Sequence, residues 1–229
     1  MTNGADERKQ ILTFLKNLIE NNNREWFQRH RGQYELMRAN LERLVNQLGE
    51  GLHELDPSFR YTKSSDYTFR IYRDVRFSKD KRPYKNHIGI YLINGGRKSP
   101  NAGYYVHIQP GESFVAGGLW RPPKEILKAV RSEIYFNPNG FESVVLNRDF
   151  IRHFGALWDE DKLIRNPKDF PGEGPAAEWL KYKSFIASRP FSDADFLSPR
   201  FIETTMNTFR KLKVFNDFLN QAIMMAEED

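Results

Sequence analysis

The hydrophobic pattern of this chain changes period twice, and that change limits the folds open to it. Ile11, Leu12, Phe14, Leu15, Leu18 and Ile19 recur at helical spacing and stop at Asn21-Asn22-Asn23. A second helical stripe follows in Phe27, Tyr34, Met37, Leu41, Leu44, Leu48, Leu52 and Leu55, closed by Asp56-Pro57. Together they predict a helical hairpin over 7–55 with one apolar stripe on each arm. The period then drops to two: Phe69, Ile71, Val75 and Phe77 alternate with Arg70, Tyr72, Asp74 and Arg76, the pattern of a half-buried strand. Arg73 falls on the apolar side of that alternation, which calls for a bulge or a buried partner. After the polar loop Ser78–Pro83, a second strand runs through Ile88, Ile90 and Leu92 to the breaker Asn94-Gly95-Gly96. Tyr104–Ile108 and Ser113–Ala116 flank Pro110-Gly111 as a hairpin.

Helical spacing returns after Pro122-Pro123 in Ile126, Leu127, Val130 and Ile134. The stretch 137–174 is rich in Pro, Gly and Asn. From about Pro199 a last stripe runs through Ile202, Met206, Phe209, Leu212, Phe215, Leu219 and Ile223. Helices before and after one contiguous block of strands predict an α+β fold rather than a βαβ array. The expectation is a single domain over 1–229: helices over 7–55, a mainly antiparallel sheet of four or more strands over about 60–120, and a helical part over 122–227.

Charge adds a second constraint. Thirty-five Lys and Arg against 30 Asp and Glu give a net +5. Seven of those cations (Arg70, Arg73, Arg76, Lys79, Lys81, Arg82, Lys85) lie within Arg70–His87 against only Asp74 and Asp80, so 28 of each sign remain elsewhere. The whole imbalance belongs to one short stretch. The chain has no cysteine, which excludes a disulfide framework and thiolate chemistry. It shows no apolar leader and no run near the roughly 20 apolar residues of a membrane span, so the cytoplasm is the expected location and no membrane partner is expected.

The string Phe69–Gly89, FRIYRDVRFSKDKRPYKNHIG, resembles the domain-of-unknown-function 2461 family, whose hallmark is close to R-D-x-R-F-S-K-D-K-x-P-Y-K. Three further pieces agree: Asn22-Asn23-Arg24-Glu25-Trp26-Phe27, Gly103–Ile108 leading to Gly117-Gly118-Leu119-Trp120, and Leu180-Lys181-Tyr182-Lys183-Ser184-Phe185. The resemblance spans about 9–224. It implies no particular activity, cofactor or substrate. Where the family more often has a small polar residue this chain has Arg82, which makes Arg82 a weak candidate for any shared role.

Cations crowded around a tight loop repel one another unless something negative separates them. Arginine brings a planar fork that fits phosphate oxygens, and lysine a mobile point charge. The favoured reading is a site for a phosphate-bearing small molecule, in a binding protein or an enzyme. Arg73, Arg76, Lys79, Lys81 and Lys85 hold the anion, Tyr84 and Trp120 form the walls, and His107 is the candidate to move a proton. Two other readings stand beside it. The same patch could dock nucleic acid or a protein, with Tyr84 and Lys85 as a stacking-and-charge pair. Alternatively, the arginines pair with Asp74, Asp80 or helix acids, and the segment only shapes the fold.

His87 and His107 sit on strands where they could face each other. With five His and no close ligand spacing, no metal site is expected, and no cofactor motif is recognised. Asp159-Glu160-Asp161 reads as a solvated loop, and Glu25 as a first-turn carboxylate. Gly172-Glu173-Gly174-Pro175-Ala176-Ala177 mimics a dinucleotide loop, but no apolar strand precedes it and Pro175 suits a helix start, so it is rejected.

Overall fold

A computed structural model describes residues 4–170, 173–174 and 176–228. Gly172 and Pro175 of the rejected dinucleotide string lie outside the described residues. The fold class is α+β: helices at both ends and a four-stranded antiparallel sheet. The elements are α1 (Gly4–Glu20), α2 (Arg24–Arg29), α3 (Arg31–Leu55), β1 (Ile88–Leu92), β2 (Gly103–Ile108), β3 (Phe114–Leu119), α4 (Lys124–Phe136), α5 (Pro138–Val145), α6 (Arg148–Phe154), β4 (Phe185–Pro190), α7 (Asp193–Leu197) and α8 (Phe201–Glu228). The strand order is β1-β2-β3-β4.

The strand boundaries differ from the expectation. Phe69–Phe77 forms no strand; it makes only the isolated bridge Tyr72↔Tyr84, and Thr68 just before it bridges to Ile90. Of its apolar positions Ile71 is buried, whereas Phe69 is 41% and Phe77 96% exposed, so the alternation does not mark a sheet face. The fourth strand comes from Phe185–Pro190 instead. The second predicted helix is also two, broken at His30, whose ring stacks on Trp26.

The chain divides into two compact units. The first comprises 1–92, 105–115 and 190–206. Its core joins the stripe Ile11, Leu15 and Leu18 of α1 to Met37, Leu44, Leu48 and Leu52 of α3, with Ile88, Ile90, Val106 and Ile108 from the strands. Each such side chain contributes about 1.5–3 kcal/mol when fully buried. Arg8, 5% exposed, is buried at the end of α7, where it donates to the carbonyls of Phe196 (2.5 Å) and Ser198 (2.9 Å). A guanidinium suits unpaired helix-end carbonyls. The β2–β3 connection turns at Pro110-Gly111: Gly111 has φ 78°, and the Glu112 N–H donates to the Gln109 carbonyl at 2.9 Å. That is the glycine a type II turn requires.

The second unit comprises 93–104, 116–189 and 207–229. Phe141 sits at its centre, with ring centroids 5.3 Å from Trp179 and Phe218 and 5.9 Å from Phe185. The α8 residues Phe209, Leu212, Phe215 and Leu219 are fully buried. Gly118, at φ 116°, lies so close to its neighbour strand that a Cβ there would stand 1.9 Å from the Phe185 carbonyl oxygen. Among the described residues no helix is long and apolar enough to cross a membrane.

Candidate functional site

The basic segment is held from below by an aromatic stack and an asparagine. Asn23 caps α2 by accepting from the Trp26 N–H at 2.9 Å, which fixes Phe27 under the segment. Phe27 stacks on Tyr84 at 4.1 Å and 11°, and Tyr72 leans on both rings. The Asn22 amide closes a ring with the Tyr84 backbone: it donates to the carbonyl at 3.0 Å and accepts from the N–H at 3.1 Å. On the other side the hairpin is pinned by Arg73 N–H to Pro83 O (2.9 Å) and Lys85 N–H to Ile71 O (2.8 Å). The next pair is Phe69 N–H to Gly89 O, so Arg70 alone spans Asn86, His87 and Ile88. A bulge therefore sits at Asn86–Ile88 and interrupts the ladder.

The tip of the segment uses one device twice. In Asp74-Val75-Arg76 the carboxylate accepts from the Arg76 N–H (3.2 Å), Nε (3.0 Å) and Nη2 (2.6 Å). In Asp80-Lys81-Arg82 it accepts from the Arg82 N–H (3.0 Å), Nε (3.0 Å) and Nη2 (2.7 Å). The aspartate makes the turn and a forked arginine two residues on locks it. Arg73, the residue out of alternation, has a partner: its Nη1 donates to Asp80 at 2.7 Å and to the Arg82 carbonyl at 3.1 Å. These guanidinium bonds hold the Asp80 and Asp74 carboxyls well below the usual range, Arg82 being the main cause for the first and Arg76 for the second.

Three of the seven cations thus bond the two acids of the segment, Arg76 and Arg82 through a fork and Arg73 through Nη1. Lys81 donates to the Val75 carbonyl at 3.1 Å, and Lys85 lies 5.4 Å from the centroid of the Phe69 ring. Lys79 is exposed, and among the described residues it has no ion-pair partner. Phe77 stands at the tip with the Arg76 guanidinium 5.9 Å from its ring centroid.

Lys85 and His87 lead from this segment onto the face of the sheet opposite Ile88, Ile90, Val106 and Ile108. His87 and His107 stack at 4.4 Å, and His107 also stacks on Phe114 at 4.7 Å. The expected facing of the two histidines across the strands is what the structure contains. Burial, the neighbouring His107 and the Lys85 charge push the His87 ring down to about 4. Burial lowers His107 as well. Both rings are neutral at pH 7.

The proton positions on His107 follow from its neighbours. Glu112 can only accept, so the Gln109 side chain offers it Nε2–H and turns Oε1 to His107 Nε2 at 3.2 Å. His107 Nε2 therefore carries the proton, and Nδ1 accepts from the Tyr105 hydroxyl at 3.1 Å. The result is a directed chain Tyr105–His107–Gln109–Glu112 that ends in a carboxylate. Burial raises Tyr105 to about 12, which keeps its hydroxyl protonated. Gly89 is required beneath it: a Cβ there would lie 2.6 Å from the Tyr105 hydroxyl oxygen.

Tyr84 is 4% exposed and stacked, with its edge turned into the aromatic cluster. Trp120 belongs to the second unit, where it stacks on Trp158 at 4.1 Å beside Arg121, which lies 5.2 Å from its ring centroid. Asp161 of the acidic run pairs with Arg121 at 3.3 Å. A cavity of about 270 Å³ between α3 and the turn Ser64–Asp66 contains none of the predicted site residues. Among the described residues no three His, Cys, Asp or Glu converge as metal ligands would. Tyr105, Gln109 and Glu112 were not singled out from the sequence. Tyr105, His107 and Gln109 are two apart on one strand, and that spacing is the signal that could have found them.

The family model described as Conserved hypothetical protein (DUF2461) matches residues 10–218. The chain belongs to that family. In this DUF2461 member the matched span holds the basic segment, both stacked histidines and the Asn22 clamp. No curated protein and no solved structure matches the chain.

Proposed function

We propose that this DUF2461 protein binds a phosphate-bearing small molecule on the outer sheet face, where Lys85 and His87 leave the basic segment and meet Tyr105 and His107. The observation that supports it best is the half-buried His87–His107 stack at 4.4 Å within the field of Lys85. The Asn86 side-chain oxygen takes the Nδ1–H of His87 at 3.0 Å, which leaves the His87 Nε2 lone pair to accept from a ligand hydroxyl. If the ligand reacts, His107 is the proton acceptor, through Tyr105. A substrate hydroxyl would give its proton to Tyr105 as Tyr105 passes its own to His107 Nδ1, and Glu112, through Gln109, would stabilise the imidazolium formed. In this reading Arg73 and Arg76 hold the loop in shape, and Lys79 and Lys81 draw the anion in.

The test is thermal stabilisation by inorganic phosphate, sugar phosphates and nucleotides at fixed ionic strength. A true ligand stabilises saturably, by about 2.7 kcal/mol at a concentration one hundred times its Kd. Lys85→Ala and His107→Gln should remove that response. If both variants respond like the parent, the site is elsewhere.

A second reading rests on Phe77. An aromatic ring 96% exposed among Arg76, Lys79 and Lys81 is the composition of a docking tip for single-stranded nucleic acid. Binding of that kind weakens steeply with salt and is lost in Phe77→Ala with Lys85 intact.

A further inference from the structure

A different cationic group lies in the second unit, built from three elements. His153 is in the last turn of α6, Arg189 near the end of β4, and Thr208 and Lys211 one turn apart on α8. Arg189 Nη1 donates to His153 Nδ1 at 2.8 Å and to the His153 carbonyl at 3.5 Å. A guanidinium has no acceptor, so Nδ1 must hold its lone pair toward Arg189. The ring proton is then on Nε2, which donates to Thr208 Oγ1 at 3.1 Å. Thr208 is 2% exposed, so the ring is fixed from behind.

Burial first, then the charges of Arg189 and Lys211, push His153 down to about 4. Among the described residues neither Arg189 nor Lys211 has a carboxylate within ion-pair distance; Asp149 on α6 pairs with Arg152 at 3.6 Å, and Asp217 on α8 with Lys213 at 2.8 Å. The Nε and Nη2 edge of Arg189 has no acceptor among the described residues, and the side chain is exposed. Two cations are held beside a histidine whose protonation burial and their own charges disfavour. An open guanidinium edge with a second cation beside it suits an oxyanion.

We infer that Arg189, Lys211 and His153 form a second anion site, selective for a phosphate dianion taken by the open fork of Arg189 with Lys211 as counter-charge. It is independent of the Lys85 site in residues and in reasoning. A dianion offsets two of the three causes that hold His153 neutral, so binding carries a rise in the His153 pKa.

The experiment is calorimetric titration of the full chain with inorganic phosphate, and separately with glycerol phosphate, at pH 7.5 and 0.15 M NaCl. The His153 imidazole resonance is followed against pH with and without phosphate. A site that takes free phosphate binds the inorganic ion at least as well as the ester, and one built for an esterified phosphate prefers the ester. Arg189→Ala and Lys211→Ala should each weaken binding by at least about tenfold, the scale of one charge-assisted contact. Arg152→Ala should leave this site within about twofold, and the His153 resonance reports this site alone, so its loss and the loss of the Lys85 site are separable. If Arg152→Ala weakens binding as much as Arg189→Ala, the attraction is diffuse and the inference falls. The His153 titration needs no variant, and an unchanged His153 pKa in saturating phosphate also overturns it.

Discussion

The Asn22 amide is the contact on which the placement of Tyr84, and with it Lys85, most directly depends. In the Tyr72↔Tyr84 bridge the ladder bonds belong to the flanking residues, so the N–H and C=O of Tyr84 point away from Tyr72 and toward Asn22. Asn22→Ala removes both bonds. Two net hydrogen bonds at about 1 kcal/mol each, plus about 1 kcal/mol for an amide stranded beside a residue that is 4% exposed, give a loss of about 2–3 kcal/mol. Asn22→Asp separates the two halves of the contact. Its carboxylate still accepts from the Tyr84 N–H but turns an oxygen to the Tyr84 carbonyl, so at pH 7.5 it should do no better than alanine. Protonated, it regains a donor. The folded-state pKa of the new carboxyl is thus raised, and its stabilisation is present at low pH and lost as pH rises through that value. Urea unfolding of the three proteins at pH 7.5 and 4.5 measures both effects. An alanine variant within about 0.5 kcal/mol of the parent would refute the clamp, as would an aspartate variant with no advantage over alanine at pH 4.5.

Asp80→Asn frees the forks of Arg73 and Arg82, so if the segment attracts anions, phosphate affinity measured by calorimetry should rise severalfold; a fall would mean that loop shape matters more than charge. Gly118→Ala meets the Phe185 carbonyl and a left-handed backbone at once and should cost more than about 3 kcal/mol, read as a collapse of soluble yield or of the urea midpoint. His87 is pushed from an ordinary 6.5 to about 4, so as pH falls the unfolded chain binds the proton first and stability drains away between those values. His87→Phe should flatten that slope without abolishing it, because His153 titrates with the same sign, and urea midpoints at pH 7.5, 6 and 5 read the difference.

The long helices were legible because a helix that buries one face must repeat its apolar residues near every third or fourth position, and α1, α3 and α8 do so over many turns. Phe69–Phe77 was misread for a physical reason. Its second half alternates because Asp74 bonds the arginine two positions on, a period of two that owes nothing to a pleated sheet. Phe185–Pro190 was missed because only Phe185 and Ala187 are fully buried on it, too few to show a rhythm. The five residues of α7 carry one sequence signal, the Ser192–Asp195 capping box. His87 and His107 could be paired from sequence because one stands at the entry to β1 and the other on β2, the next strand of the chain. His153, Arg189 and Lys211 could not be: each looks like an ordinary surface cation or helix-end histidine until α6, β4 and α8 bring them together.

The division of labour among the seven cations follows from their chemistry. A guanidinium can hold a carboxylate by two parallel bonds and still donate elsewhere, so arginine is the residue that can fix an aspartate turn rigidly. Arg76 and Arg82 are used in that way, Arg73 adds a single Nη1 bond to Asp80, and the loop they shape carries Lys79 and Lys81 at its tip. An ammonium group lacks the fork and fixes nothing so well, but it stays mobile and hydrated, ready to follow a ligand. Replacing the arginines by lysine should therefore loosen the loop at constant charge, while replacing the lysines by arginine should leave its shape intact. The net charge is the same in both exchanges, so only an account based on geometry predicts that they differ.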